Sequence, residues 1–110
     1  MMNHIQSKEQ YTELIANKKA TVLFFSADWC PDCNFIDGFF DEIMEKNKED
    51  FDFYKVNPDT QQEVCAAANV MGIPSFVTYQ NSTIIADMVG NDSRTKEEIE
   101  AFLERSKVAK

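Results

Sequence analysis

The stretch Val22-Leu23-Phe24-Phe25-Ser26-Ala27-Asp28-Trp29-Cys30-Pro31-Asp32-Cys33 joins an apolar run to two cysteines three positions apart. A short unbroken apolar segment, Thr21 to Ala27, suits a strand buried on both faces. Pro31 fits the first position of a helix, where it has no N–H to lose. The two sulfurs then fall on one side of a first helical turn, close enough to form a disulfide. Cys30 sits at the helix start, where free N–H groups and the positive dipole end favour a thiolate. Cys33, one turn in, is expected to be more sheltered. An exposed thiolate that attacks and a sheltered thiol that resolves are what two-step thiol–disulfide exchange requires. Three nearby carboxylates, Asp28, Asp32 and Asp37, oppose the thiolate and point to a reducing rather than a strongly oxidising couple.

Outward from this segment, periodicity places the other elements. Gln6 to Asn17 reads as a helix, with Ser7 and Gln10 as a capping box and Tyr11, Leu14 and Ile15 on its apolar face. Pro31 to about Lys46 reads as a helix with a broad buried face that includes Phe35, Ile36, Phe39, Phe40, Ile43 and Met44. Gly38 marks a possible bend in it. Phe51 to Val56 reads as a strand. Thr60 with Glu63 forms a second capping box that opens a short helix carrying Val64 and Ala67. Ser75–Gln80 and Thr83–Val89 form a hairpin whose Asn81-Ser82 turn lacks the usual glycine. Thr95 and Glu98 cap a final helix with Ile99, Phe102 and Leu103 facing inward. Residues 4–6 offer a weak first edge strand. A strand–helix–strand unit followed by a hairpin and a helix implies an α/β fold, a mixed sheet covered on both faces.

At 110 residues the chain is expected to form one domain, residues 1–110. A chain of this mass buries roughly two-thirds of its surface on folding, so a core forms without disulfide staples. The formal charge of −8 disfavours binding to nucleic acid or to anionic lipid. No apolar run approaches the roughly 18 residues of a membrane span, and the N-terminal residues lack the apolar region of a secretory signal. Three cysteines, Cys30, Cys33 and Cys65, are too few, and odd in number, for a secreted disulfide scaffold. A reducing cytoplasm is the expected location.

The pentapeptide Trp29-Cys30-Pro31-Asp32-Cys33 after an apolar strand, with Gly72-Ile73-Pro74-Ser75 far downstream, resembles the thioredoxin family. The resemblance runs from about Thr21 to Lys107. It implies a thioredoxin-like fold with a central four- or five-stranded sheet, and a disulfide reductase in which Cys30 is the nucleophile and Cys33 the resolving thiol. It also implies a cis bond before Pro74, a loop lying against the cysteine pair, and a substrate groove shaped by Trp29, Pro31, Ile73, Pro74 and the Gly90 turn. No bound cofactor is implied. Electrons would come from a thioredoxin reductase or a low-molecular-weight thiol, and a monomer is the simplest state.

The departures from the family pattern are specific. Phe24 stands where a buried acid usually accepts the resolving cysteine's proton, so Asp32, water or another group must do so, and Lys55 is left without that acid as partner. Asp32 could equally serve only to complement the helix dipole. Pro31-Asp32 replaces Gly-Pro, and Ser26 stands at a usual tryptophan. Two other classes compete. One is a non-catalytic binding module. The other is a zinc site formed by the cysteine pair with Cys65 and His4. Cys65 otherwise reads as a small core residue, and the Phe35, Phe39, Phe40 stripe as core.

Overall fold

In the computed structural model, which describes residues 2–110, the elements follow the expected order. They are β1 (Asn3–His4), α1 (Lys8–Ile15), β2 (Ala20–Phe25), α2 (Pro31–Asn47), β3 (Phe51–Val56), α3 (Gln62–Ala68), β4 (Ser75–Gln80), β5 (Thr83–Met88) and α4 (Lys96–Ala109). They build one five-stranded sheet in the order β1-β3-β2-β4-β5. β1, β3 and β2 run parallel, while β4 pairs antiparallel with β2 and β5 antiparallel with β4.

β2 lies mid-sheet with every residue buried, which is why its sequence is an apolar run and not an alternation. Successive side chains serve opposite faces. Val22 and Phe24 join Phe40, Ile43, Phe76, Phe102 and Leu103 in the layer under α2 and α4. Leu23 and Phe25 join Tyr11, Val56, Val64, Val77 and Tyr79 under α1 and α3. Phe24 stacks on Phe76, with ring centroids 4.6 Å apart, and each such fully buried ring stabilises the fold by roughly 1.5–3 kcal/mol.

Several local expectations need correction. Phe35 is 61% exposed and Phe39 half-buried. They pair edge-to-face at 5.4 Å, with Phe39 packed against the core cluster and Phe35 left outside it, because the seam of α2 runs through Cys33, Ile36, Phe40 and Ile43. The Thr60–Glu63 box does not form. The Thr60 hydroxyl turns back to the Asn57 carbonyl, and α3 starts after Gln61 without a side-chain cap. α2 is one continuous helix across Gly38. α1 is shorter than its periodicity suggests, with Ser7 as N-cap accepting from the Gln10 N–H, and the returning Gln10 amide oxygen takes the Gln6 N–H. The edge strand lies at Asn3–His4. The hairpin turn closes with Asn81 and Ser82 both at positive φ. Their N–H groups bond the carbonyls of Asn17 and Ile15 at the end of α1, so tertiary contact takes the place of glycine.

Candidate active site

β2 ends at Phe25, and the chain needs only five residues to reach the first turn of α2. The Cys30 N–H bonds the Ala27 carbonyl within that bend. Cys30 is itself the N-cap of α2, and its Sγ accepts the Cys33 N–H at 3.3 Å. A sulfur in the place of a capping oxygen receives the same free helix N–H and the same dipole end. Pro31 occupies the next position, as expected, and Asp32 lies in the first turn.

The sheltering of the two thiols is unequal. Cys33 is fully buried, and burial pushes its thiol up to about 11, reinforced by its bond to the Cys30 sulfur; the Ala27 backbone and the Ser26 hydroxyl pull weakly the other way. Cys30 is only 6% exposed, so its sulfur is mostly covered rather than projecting into solvent. It opens instead into a groove of about 670 Å³. All three cysteines are free thiols.

Trp29, Pro31 and Ile73 line that groove beside Cys30, and so do Val70, Met71 and Asn91. Trp29 is 66% exposed, with its indole Nε1 donating to Asp59 Oδ2 at 2.7 Å. The Ile73–Pro74 bond is cis. Pro74 is buried behind the lining. Gly90, at φ +144°, adjoins Gly72 of that lining. A Cβ on Gly72 would meet the Gly90 carbonyl carbon at 3.0 Å, so these two loops approach too closely for a side chain. The Ser75 hydroxyl ties them together: it accepts the Gly90 N–H at 3.1 Å and reaches the carbonyls of Gly72 and Gly90 at 2.6 and 3.0 Å. Asp59 and Met71 escaped the sequence reading because they come from separate loops and share no spacing pattern with Cys30; Ser75, the first residue of β4, is legible only as the end of the Gly72–Ser75 motif, without this role.

The place of the missing acid is filled. Phe24 is buried among Phe40 and Phe76. Lys55 is not left without a partner: its Nζ lies over the Phe24 ring and pairs with Asp37 on α2. The ligands needed for zinc are not gathered. His4 faces a pocket with Asp37 and Lys55, whereas Cys65 opens on the groove. Among the described residues no group of three or more His, Cys, Asp or Glu could hold a metal ion. Burial pushes the Cys65 thiol up.

The thioredoxin family model matches residues 2–105. The chain is 30% identical over 104 residues to thioredoxin-1 of Schizosaccharomyces pombe, covering 94% of this chain and all of the relative. It is 29% identical over 103 residues to thioredoxin 1 of Plasmodium falciparum, covering 93% and 98%. The crystal structure of Malassezia sympodialis thioredoxin superposes with a TM-score of 0.81 at 27% identity, covering 96% of this chain and 93% of that one. Fold, motif position and sequence agree: the chain belongs to the thioredoxin family and is a thiol–disulfide oxidoreductase.

Proposed function

We propose that the protein reduces disulfides in other molecules by cycling Cys30 and Cys33 between dithiol and disulfide. The Cys30 thiolate attacks a substrate sulfur, forms a mixed disulfide and expels one substrate thiolate. Cys33 then gives up its proton and attacks Cys30 Sγ. The second substrate thiolate leaves, both leaving groups take up protons, and a Cys30–Cys33 disulfide remains. The observation that carries this reading is the division of labour at the helix start. Cys30 lines the groove and caps α2, while Cys33 lies fully buried one turn below. Trp29, Pro31 and Ile73 would hold the substrate, with Pro74 and Gly90 supporting the wall. Asp32 is the nearest carboxylate in sequence to take the Cys33 proton.

A protein of this kind needs an external reductant, either a thioredoxin reductase or a low-molecular-weight thiol, and it belongs in a reducing cytoplasm. A monomer suffices for the cycle. Insulin reduction with dithiothreitol tests the reading: the wild-type protein accelerates the reaction and Cys30→Ser stays at background. Equal rates for the two would remove the catalytic reading and favour a binding module.

A further inference from the structure

The walls of the groove are mostly apolar, and the one charged side chain among those lining it is a carboxylate, Asp59. Asp59 lies on the wall and spends a hydrogen bond on the neutral Trp29 indole. Asp32 follows the wall residue Pro31 and Asp92 follows Asn91, Glu63 lines the neighbouring pocket that shares Asp59 and Gln62 with the groove, and Asp28 lines a different pocket with Asp37 and Lys55. The ion pairs among the described residues lie elsewhere. Lysines 46, 48 and 96 serve Glu42, Glu45 and Glu100; lysines 19, 107 and 110 serve Asp50, Asp52 and Glu104; Lys55 serves Asp37. Two other cations lie near this end. Arg94 is folded against the Gly90 loop, and Lys8 shares its pocket with Glu9, Asp59 and Glu63. Most of the chain's cations are thus paired on the remote surface, and none lines the groove that Cys30 opens on.

From this distribution, and resting on the disulfide-reductase reading, we infer that the preferred substrate is a polypeptide disulfide with an apolar residue beside the cysteine and lysine or arginine on its flanks. The apolar residue fits against Val70, Met71 and Ile73, where a cation would lose its hydration without gaining a partner. Cationic flanks fall at the border, where a low-dielectric cleft of one sign attracts the opposite charge and raises the encounter rate. Acidic disulfides are repelled by the same border. The chemistry is unchanged by this selection: one dithiol becomes a disulfide as one substrate disulfide becomes two thiols.

Two synthetic peptide disulfides test the inference. They share an apolar residue next to cysteine and differ only in carrying two lysines or two glutamates on the flanks. Each rate with the reduced protein is divided by its rate with dithiothreitol, which removes the peptide's own reactivity. The lysine peptide is expected to react about ten-fold faster at low salt. The ratio should fall toward one near 1 M salt, where charges are screened within about 3 Å. The double variant E63Q/D92N should reduce the low-salt preference by several-fold while speeding the glutamate peptide. Equal normalised rates, or a preference that survives high salt, would overturn the charge selection and leave the reductase reading standing. Failure to reduce either peptide would overturn the reductase reading itself.

Discussion

Lys55 Nζ donates to Asp37 Oδ1 at 2.9 Å, joining β3 to the second turn of α2 across the ring of Phe24. With a phenylalanine in the layer below, the lysine turns outward to a helix carboxylate and keeps its Nζ over the ring, 5.5 Å from the centroid. The Lys55 side chain is 15% exposed and that of Asp37 35%, so the pair stands between a surface bridge and a buried one.

Removing one partner leaves the other half-buried and uncompensated. Asp37→Asn is expected to lower stability by about 1 kcal/mol, between the values for exposed and buried pairs. A double-mutant cycle with Lys55→Met should return a coupling of similar size in urea unfolding. A coupling near zero would mean that the pair is only a surface contact.

Gly38 is helical and exposed, and a Cβ built there meets nothing within 4 Å. Gly38→Ala should therefore stabilise the protein by about 0.5–1 kcal/mol, since glycine costs a helix backbone entropy without return. Thermal unfolding reads this as a raised midpoint. A lowered midpoint would show that the position needs glycine for another reason.

Tyr79 donates to or accepts from Tyr11 across a buried 2.6 Å contact. Burial, together with that hydroxyl, pushes its phenol far above the ordinary range. The folded state therefore holds this proton more tightly than the unfolded chain. The stability it contributes is present in full below about pH 10 and is lost as pH rises beyond it, by roughly 1.4 kcal/mol per unit. Cys33 and Cys65 add losses of the same sign. Urea midpoints measured across this window should fall less steeply in Tyr79→Phe than in wild type. Parallel curves would show that Tyr79 ionises as readily folded as unfolded.

Cys33 is held up to about 11 by burial and by the Cys30 sulfur. At neutral pH, iodoacetamide should label Cys30 first, with Cys33 and Cys65 at least about ten-fold slower, because the thiolate is the reactive form. In Cys30→Ser the Cys33 thiol should stay slow at neutral pH, since burial, the larger cause, remains. Rapid labelling of Cys33 in either protein, read by peptide mass mapping, would contradict its sheltered role.

Much of this was legible where local rules and packing agree. The β2 run, the Pro31 start of α2 and the Thr95–Glu98 box each state one answer at every level; the helix start and the box form as read, and the strand starts one residue earlier and ends two residues sooner, at Ala20–Phe25. The Cys30 and Cys33 positions were equally plain, because three-residue spacing at a helix start leaves little freedom. What escaped depends on partners distant in sequence or on a competing local turn. Phe35 matches the helical period as well as Ile36 does, and only the packing of α2 in the fold decides which one is covered: Ile36 joins the cluster of Phe24, Phe76 and Phe102 while Phe35 stays exposed. The Thr60–Glu63 box lost to Asn57, whose side chain takes the Asp59 N–H and whose carbonyl takes those of Thr60 and Gln61. The Lys55–Asp37 pair and the Trp29–Asp59 bond each join separate elements, and nothing in the spacing announces either.

The most direct test is to stop the cycle halfway. Cys33→Ser removes the resolving thiol, so a substrate peptide disulfide should leave one peptide covalently attached, with one thiol released per protein. Mass mapping should find the adduct on Cys30 and dithiothreitol should release it. An adduct carried by Cys65, or none at all while wild type is oxidised normally, would contradict the assignment of the helix-capping sulfur as the attacking group.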